Sequence, residues 1–287
     1  MIPSVNFHVW EPCNMRCKFC YATFQDVKNT ILPKGHLPRQ AAIEVVEQLA
    51  EIGFEKITFA GGEPTLCPWL PELIATAKQA GLTTMIVTNG SNLSDDFLRI
   101  NKDQLDWIAI SIDSLDYNTN LQTGRAITGK TALSKEYYFS IAEKVKHYGF
   151  GLKVNTVVSS SNYLEDMQDL ITQVKPKRWK IFQVLPIKGQ NDQHINKYTI
   201  TDKQFQYFLE THKNLQNITT IVPETNHQMK GSYVMVDPAG RFFDNSTGTH
   251  KYSLPILEYG SRLAIQQMDY DFGKFIERGG IYNWMTT

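Results

Sequence analysis

At 287 residues the chain is long for one ordinary domain and short for two large ones, a length at which single α/β barrels are common. Lys plus Arg and Asp plus Glu number 29 each, so the net charge is zero; a nucleic-acid polymer is not an expected partner, and any cationic site must be local. No apolar run reaches membrane-spanning length, and the start MIPSVNFHVWEPC lacks a signal peptide's basic and apolar regions, so no membrane is expected and the cytoplasm is the default.

Short apolar runs alternate with amphipathic ones along the chain, which predicts βα units and a parallel sheet. Strands are expected at residues 5–10, 56–60, 83–88, 107–112, 152–158 and 179–185. Helices are expected at 38–53, 68–81, 95–100, 137–148, 164–174 and 204–215, the first two ending at Gly53 and Gly81. Six such units make a partial (βα)6 barrel over residues 1–217. The remainder, 218–287, reads as an extension closing the site within one structural unit. It holds a strand at 219–222, a hairpin of 233–236 and 241–244 turned at Asp237-Pro238-Ala239-Gly240, and helical stretches at 262–268 and 272–278. The polar run 190–197 reads as an exposed loop, and His147, His212, His227 and His250 as surface or helix-face residues.

The chemistry-bearing residues fall where such strands end. Cys13 follows the first strand, Gly61-Gly62-Glu63-Pro64 the second and Asn89-Gly90-Ser91 the third, while Ser111 and Asp113 close the fourth. In a parallel barrel these ends open on one face, so the motifs converge on a single site. Cys13, Cys17 and Cys20 put three soft thiolates on one loop, suited to an Fe–S cluster or to zinc. Three ligands leave one iron of a four-iron cube open, whereas a structural zinc would need a fourth ligand, such as His8 or His36. Cys67 stands alone and reads as a buried core residue. In GGEP the glycines permit close backbone approach and Glu63 can accept from an amine; the alternative is a plain strand-to-helix turn.

Strands five and six break the rule that buried parallel strands are apolar. By period-two alternation Lys153 and Asn155 share one face, as do Arg178 and Lys180, and Lys56 lies on strand two with Thr58 and Ala60. Pointing inward, these four cations would require a polyanion; otherwise they snorkel at the strand starts.

With the stretches SVNFHVWEPCNMRCKFC, EKITFAGGEP, VTNGS, AISIDS, Gly124-Arg125, LKVN, KRWKIFQ, VPETN and RGGIYNW, the chain resembles the viperin family of radical S-adenosylmethionine (SAM) enzymes from Ser4 to about Trp284. The resemblance implies a 4Fe–4S cluster on Cys13, Cys17 and Cys20, and SAM held by Gly61, Gly62, Glu63, Asn89, Ser111 and Arg125. It implies a ribonucleoside triphosphate, CTP or UTP favoured over GTP, bound by Asn6, Lys56, Lys153, Asn155, Arg178, Lys180, Glu224, Asn226, Thr247 and Gly248. A 5′-deoxyadenosyl radical would take the C4′ hydrogen, water would leave from C3′, and an electron and a proton, for which Tyr233 is the expected source, would complete a 3′-deoxy-3′,4′-didehydro nucleotide. Such a product terminates polymerase chains, implying an antiviral or anti-phage role. A flavodoxin- or ferredoxin-type electron donor and a monomeric state are also implied. The family's animal members carry a membrane helix before the barrel that this start does not imply. Thr58, Ala60 and the run Thr249-His250-Lys251 depart from the animal pattern and leave the base open. The alternatives are another radical SAM enzyme acting on a nucleotide, GTP included, or a non-enzymatic Fe–S or zinc redox module. The GTP cyclases of molybdopterin synthesis carry a second cysteine cluster, and no cysteine follows Cys67 here.

Overall fold

The structure, a computed structural model, describes residues 2–284; Met1 and the last three positions of the expected 218–287 extension lie outside it. Among the described residues twelve strands occur in chain order: β1 (Ser4–Trp10), β2 (Lys56–Gly61), β3 (Thr83–Thr88), β4 (Trp107–Ser111), β5 (Ala126–Ile127), β6 (Thr131–Ala132), β7 (Gly151–Val158), β8 (Arg178–Gln183), β9 (Thr220–Glu224), β10 (Val234–Val236), β11 (Arg241–Asp244) and β12 (Lys251–Pro255). Ten form one sheet in the order β12-β11-β10-β1-β2-β3-β4-β7-β8-β9. The six expected barrel strands are its centre, all parallel. The segment beyond residue 217 extends both ends: β9 adds in parallel to β8, and β10 adds in parallel to β1. Strands β11 and β12 then continue antiparallel.

Alternation along the strands sorts the two faces. On the outer face Val5, Phe7, Ile57, Phe59, Ile86, Ile108, Ile110, Val154 and Ile181 are essentially inaccessible to water. They pack beneath α1 (Arg39–Glu51), α2 (Leu70–Gln79), α3 (Asp95–Asn101), α5 (Lys135–His147) and α6 (Gln168–Val174), whose inward residues share that core. Each such side chain contributes about 1.5–3 kcal/mol on burial. The opposite face curls round a cavity of ≈ 1070 Å³ lined by Ser4, Asn6 and His8 of β1, Lys56 and Thr58 of β2, and their counterparts on the other strands.

Several expectations are corrected. The run 190–197 is mostly exposed, as expected, but it is anchored at Gln190, Asn191 and Ile195. Gln190 Oε1 accepts from the amides of Thr23 and Phe24, Asn191 is buried and its Nδ2 donates to Phe19 O and Leu185 O, and a 3-10 turn covers Ile195–Lys197. The helix placed at 164–174 begins only at Gln168. The one placed at 204–215 is α7 (Asp202–His212), started by a capping box of Thr201 and Gln204. His212 is buried on its inner face, with Nε2 accepting from Met167 N at 2.8 Å. The short helix α4 (Tyr117–Thr123), the β5–β6 hairpin and β12 carry too few periodic residues to be read from sequence.

That hairpin and the end of α4 hold the cysteine loop in place. Arg16 N donates to Gly124 O and Lys18 N to Thr123 O, each at 2.9 Å, and Met15 bridges Ile127. Gly124 is left-handed at φ 80°, and a Cβ there would overlap the Arg16 carbonyl. Gly149 has φ 84° with nothing within 4 Å of such a Cβ. Gly149→Ala is therefore expected to cost about 1–2 kcal/mol, the left-handed strain alone, and Gly124→Ala at least about twice that, since carbonyl and loop must also shift. Chemical denaturation of the two variants side by side checks this, and equal losses would contradict the packing account.

Candidate functional site

The cavity's upper rim is the cysteine loop. Cys13, Cys17 and Cys20 all line it, half-buried, with Cys20 N donating to Cys17 O at 3.2 Å. Burial pushes the Cys13 thiol up to about 11 and the Cys17 thiol up to about 12, and raises Cys20 as well. Such thiols ionise readily only against a cation, and iron supplies one. Among the described residues no three His, Cys, Asp or Glu side chains group as a single metal ion requires. In a cluster each thiolate holds its own iron, so three thiols along one wall fit. The histidines weighed for zinc have other settings. His36 is stacked on Trp10, ring centroids 3.9 Å apart, and His8 is enclosed by Tyr21, Phe24 and Phe243. Cys67 lies in the core, as expected.

Gly61 and Gly62 line the cavity, but the reason for glycine differs from the expected one. A Cβ on Gly62 would overlap the carbonyls of Glu11 and Pro12, and one on Gly61 the carbonyl of Trp10. The pair lets β2 approach the cysteine loop, backbone against backbone. Glu63 is fully buried; Oε1 accepts from Thr65 N, Thr65 Oγ1 and Thr88 Oγ1, and Oε2 from Asn89 N at 2.7 Å. Oε2 retains capacity for one more donor, such as an ammonium. Asn89 also reaches the loop, Nδ2 donating to Asn14 Oδ1 at 2.9 Å. Ser111 lines the cavity beside Arg125, whose guanidinium is ion-paired to Asp113 and lies 5.9 Å from the Phe19 ring.

The cavity floor is cationic. Lys56, Lys153, Arg178 and Lys180 all line it at 4–8% exposure, which rules out snorkelling into solvent. Arg278 joins them, 5% exposed. Burial, then mutual repulsion, hold Lys56 and Lys153 well below the ordinary ammonium range. Burial pushes Lys180 down to about 8, although Glu224 attracts its charge. Asn155 lines the same space, and its Oδ1 is buried without a partner. Asn6 and Thr58 lie above the floor, adjacent by register, as do His8 and Ala60.

Four expected substrate residues stand elsewhere. Glu224 is wholly buried behind the wall, ion-paired to Lys180, 3.4 Å from Arg278 and accepting from the Tyr233 hydroxyl. It is a counter-ion beneath the surface and does not line the cavity. Asn226 begins the short helix α8 (Asn226–Met229), with its amide donating to Gln183 Oε1, and is also outside the lining. Thr247 and Gly248 belong to the β11–β12 turn, where Gly248 O accepts from Lys188 N, and neither lines the cavity. Tyr233 does, immediately before β10.

Sequence reasoning gave no role to Arg278 or Tyr282, although both lie in the RGGIYNW stretch. Arg278 stacks on Tyr233, guanidinium carbon 3.6 Å from the ring centroid. The Tyr282 hydroxyl accepts from Lys56 Nζ at 2.7 Å and from Lys153 Nζ at 3.1 Å, and Arg178 covers its ring at 3.9 Å. A single tail residue thus touches three of the floor cations.

Residues 9–174 match the Radical SAM superfamily. The chain is 63% identical over 285 residues to an S-adenosylmethionine-dependent nucleotide dehydratase of Lacinutrix mariniflava, across 99% of this chain and 59% of that protein. With the protein of that name from Flammeovirga pacifica it shares 55% identity, across 99% of this chain and 97% of the relative. The chain belongs to the viperin family of radical SAM enzymes. More distant is the S-adenosylmethionine-dependent nucleotide dehydratase RSAD2 of Oncorhynchus mykiss, 36% identical across 98% of this chain and 80% of that one. Of solved structures, anSMEcpe with bound AdoMet superposes with a TM-score of 0.72 at 14% identity, covering 96% of this chain and 82% of that one. SuiB of Streptococcus suis bound to its precursor peptide gives 0.70 at 14% identity, covering 95% and 65%. These two likenesses establish the barrel fold of this viperin-family chain and nothing finer.

The cationic floor has a pH signature. Lys180 titrates near 8 in the fold against 10.5 when unfolded, so its burial penalises folding fully below about pH 8, and the penalty fades as pH rises toward 10.5. A bound polyanion removes that penalty by pairing with the charge. Inorganic triphosphate is therefore expected to raise the melting temperature more at pH 7 than at pH 9.5, followed by thermal unfolding. Equal shifts at both pH values would show that the buried lysines are not its partners.

Proposed function

We propose that this chain dehydrates a ribonucleoside triphosphate, CTP or UTP favoured, to its 3′-deoxy-3′,4′-didehydro analogue. The observation that carries the reading is the cationic floor: five buried cations line the foot of the cavity whose rim holds the three cysteines, and among the described residues Glu224, behind the wall, is the carboxylate paired with them. Fixed cations without anions are expensive to bury, and a triphosphate supplies the missing charge. The names of the relatives, nucleotide dehydratases, agree with it.

Bound at Cys13, Cys17 and Cys20, a 4Fe–4S cluster together with SAM would supply a 5′-deoxyadenosyl radical, the oxidant for the C4′ hydrogen. The chain's residues do the rest by position. Lys56, Lys153, Arg178 and Lys180 would fix the phosphates at the floor, so the sugar would lie between floor and rim, in the cavity that Asn6, Asn155 and Tyr233 also line. Glu63 Oε2 would receive the SAM ammonium, beside Asn89, Ser111 and Arg125. Tyr233 faces the sugar as the source of the electron that completes the double bond. Thr247 and Gly248 would reach the phosphates only after a movement of their turn. A flavodoxin- or ferredoxin-type donor, a monomeric state, a cytoplasmic location and use of the product against phage complete the proposal. Among the described residues no helix is long and apolar enough to cross a membrane.

Anaerobic protein incubated with dithionite, SAM and each ribonucleoside triphosphate in turn is expected to yield 5′-deoxyadenosine and a nucleotide lighter by one water, with CTP or UTP giving most. If no triphosphate raises 5′-deoxyadenosine above the substrate-free level, the reading is wrong. Lys180→Ala should weaken triphosphate binding by at least about tenfold and leave iron and sulfide content unchanged. Unaltered affinity in a calorimetric titration would remove Lys180 from the phosphate site.

A further inference from the structure

One group in the site has no task in binding. Glu224 lies behind the wall, yet it holds the phenol that the proposed reaction relies on. The Tyr233 hydroxyl donates to Glu224 Oε2 and accepts from Lys180 Nζ at 2.9 Å, while Arg278 stacks on the ring at 3.6 Å. Lys180 and Arg278 both reach the other carboxylate oxygen, Oε1. The phenol proton therefore already points at a carboxylate whose second oxygen is fixed by two cations. A neutral phenol would not surrender that proton, since burial raises Tyr233 far above its ordinary value and, against burial, the two cations hold Glu224 below its own. A phenol that loses an electron becomes a far stronger acid, and then the same hydrogen bond carries the proton across without any atom moving far.

We infer that Glu224 is the positioning residue that receives the Tyr233 proton when Tyr233 passes an electron to the substrate sugar. The proposal rests on the dehydratase reading above. Once the 3′-hydroxyl has departed as water with a proton from solvent, the sugar is one electron short of its C3′–C4′ double bond. Tyr233 supplies that electron; its O–H bond breaks and the proton passes to Glu224 Oε2. The one-electron reductant that the radical chemistry already requires then reduces the phenoxyl, and Glu224 returns the proton. This reduction consumes one electron, beside the one that cleaves SAM, and the loss of water consumes one proton; Lys180 and Arg278 keep their charges throughout. Arg278 and Lys180 also prevent Glu224 from turning away.

The test separates the sugar's activation from its final reduction in the reconstituted enzyme, by comparing didehydro nucleotide with 5′-deoxyadenosine. Glu224→Gln keeps size, but its one amide oxygen can accept only from Lys180 and Arg278 or from the phenol, and it is a far poorer base. It should still form nucleotide-dependent 5′-deoxyadenosine, with KM for the nucleotide within about twofold, while the product ratio falls by on the order of tenfold or more. Glu224→Asp should recover part of that ratio. On the unmodified protein, D2O should slow product formation and leave 5′-deoxyadenosine formation unchanged. Because the departing 3′-hydroxyl also takes a solvent proton, the slowing should shrink in Glu224→Asp, whose carboxylate stands back from the phenol. A slowing of the same size in Glu224→Asp would assign it to the loss of water and overturn the role of Glu224. A parallel loss of both products in Glu224→Gln, an unchanged ratio, or no selective solvent effect would each overturn the role of Glu224. If Tyr233→Phe also retains the full ratio, the failure lies with Tyr233 as electron source and not with Glu224.

Discussion

Like charges held out of water with too few counter-ions are the constraint that organises this molecule. Lys56, Lys153, Arg178, Lys180 and Arg278 are each at most 8% exposed, and among the described residues Glu224 is the carboxylate whose field reaches all of them but Lys56. Desolvation and repulsion both oppose such a cluster. The surroundings answer with aromatic faces and neutral acceptors: the Tyr282 ring and hydroxyl, the Tyr233 ring, and the carbonyls of Gly279 and Ser232. None neutralises a charge. The floor therefore stays poised for an anion, and the chain's overall neutrality hides that bias entirely.

The fold supports this poise through its two-faced strands. The outer positions anchor each strand under helices, and the rigidity so gained lets the inner positions carry groups that would otherwise avoid one another. The cysteine loop is fixed at the opposite end by separate means. Gly62 and Gly124 admit neighbouring backbone, and Glu63 ties the ends of β2 and β3 together. Distance between rim and floor is thereby set by the sheet itself, and a substrate spanning them meets both chemistries at once.

Much of this was legible in the residue order. Strand alternation exposed Lys153, Asn155, Arg178 and Lys180 as inward groups, because the core side of a buried parallel strand does not tolerate polar residues at fixed parity. The cysteine spacing and the GGEP turn marked the rim. What could not be read came from contacts between distant segments. Glu224 carries the same letter whether it lines a cavity or sits behind one, and only the positions of Lys180, Arg278 and Tyr233 decide it. The glycines looked like a ligand cradle, since nothing local reveals that Glu11 and Pro12 pass against them. Arg278 and Tyr282 lie in an irregular tail without periodicity, so no pattern pointed inward.

One feature of the sheet bears on how such a protein can change. Eight parallel strands run from β10 through β1 to β9, yet β9 and β10 are not joined by backbone pairing. Across that seam the side chains of Glu224 and Tyr233 meet, with Arg278 bound to both sides through Glu224 and Ser232 O. The barrel is thus fastened at its open edge by side chains at the cavity wall. Mutational drift at these positions alters architecture and chemistry together, so a lineage seeking a new substrate here must first find robustness elsewhere in the scaffold. The remaining strands are fastened by backbone ladders, so cavity-lining side chains such as Thr58 and Ala60 can vary without loosening the sheet.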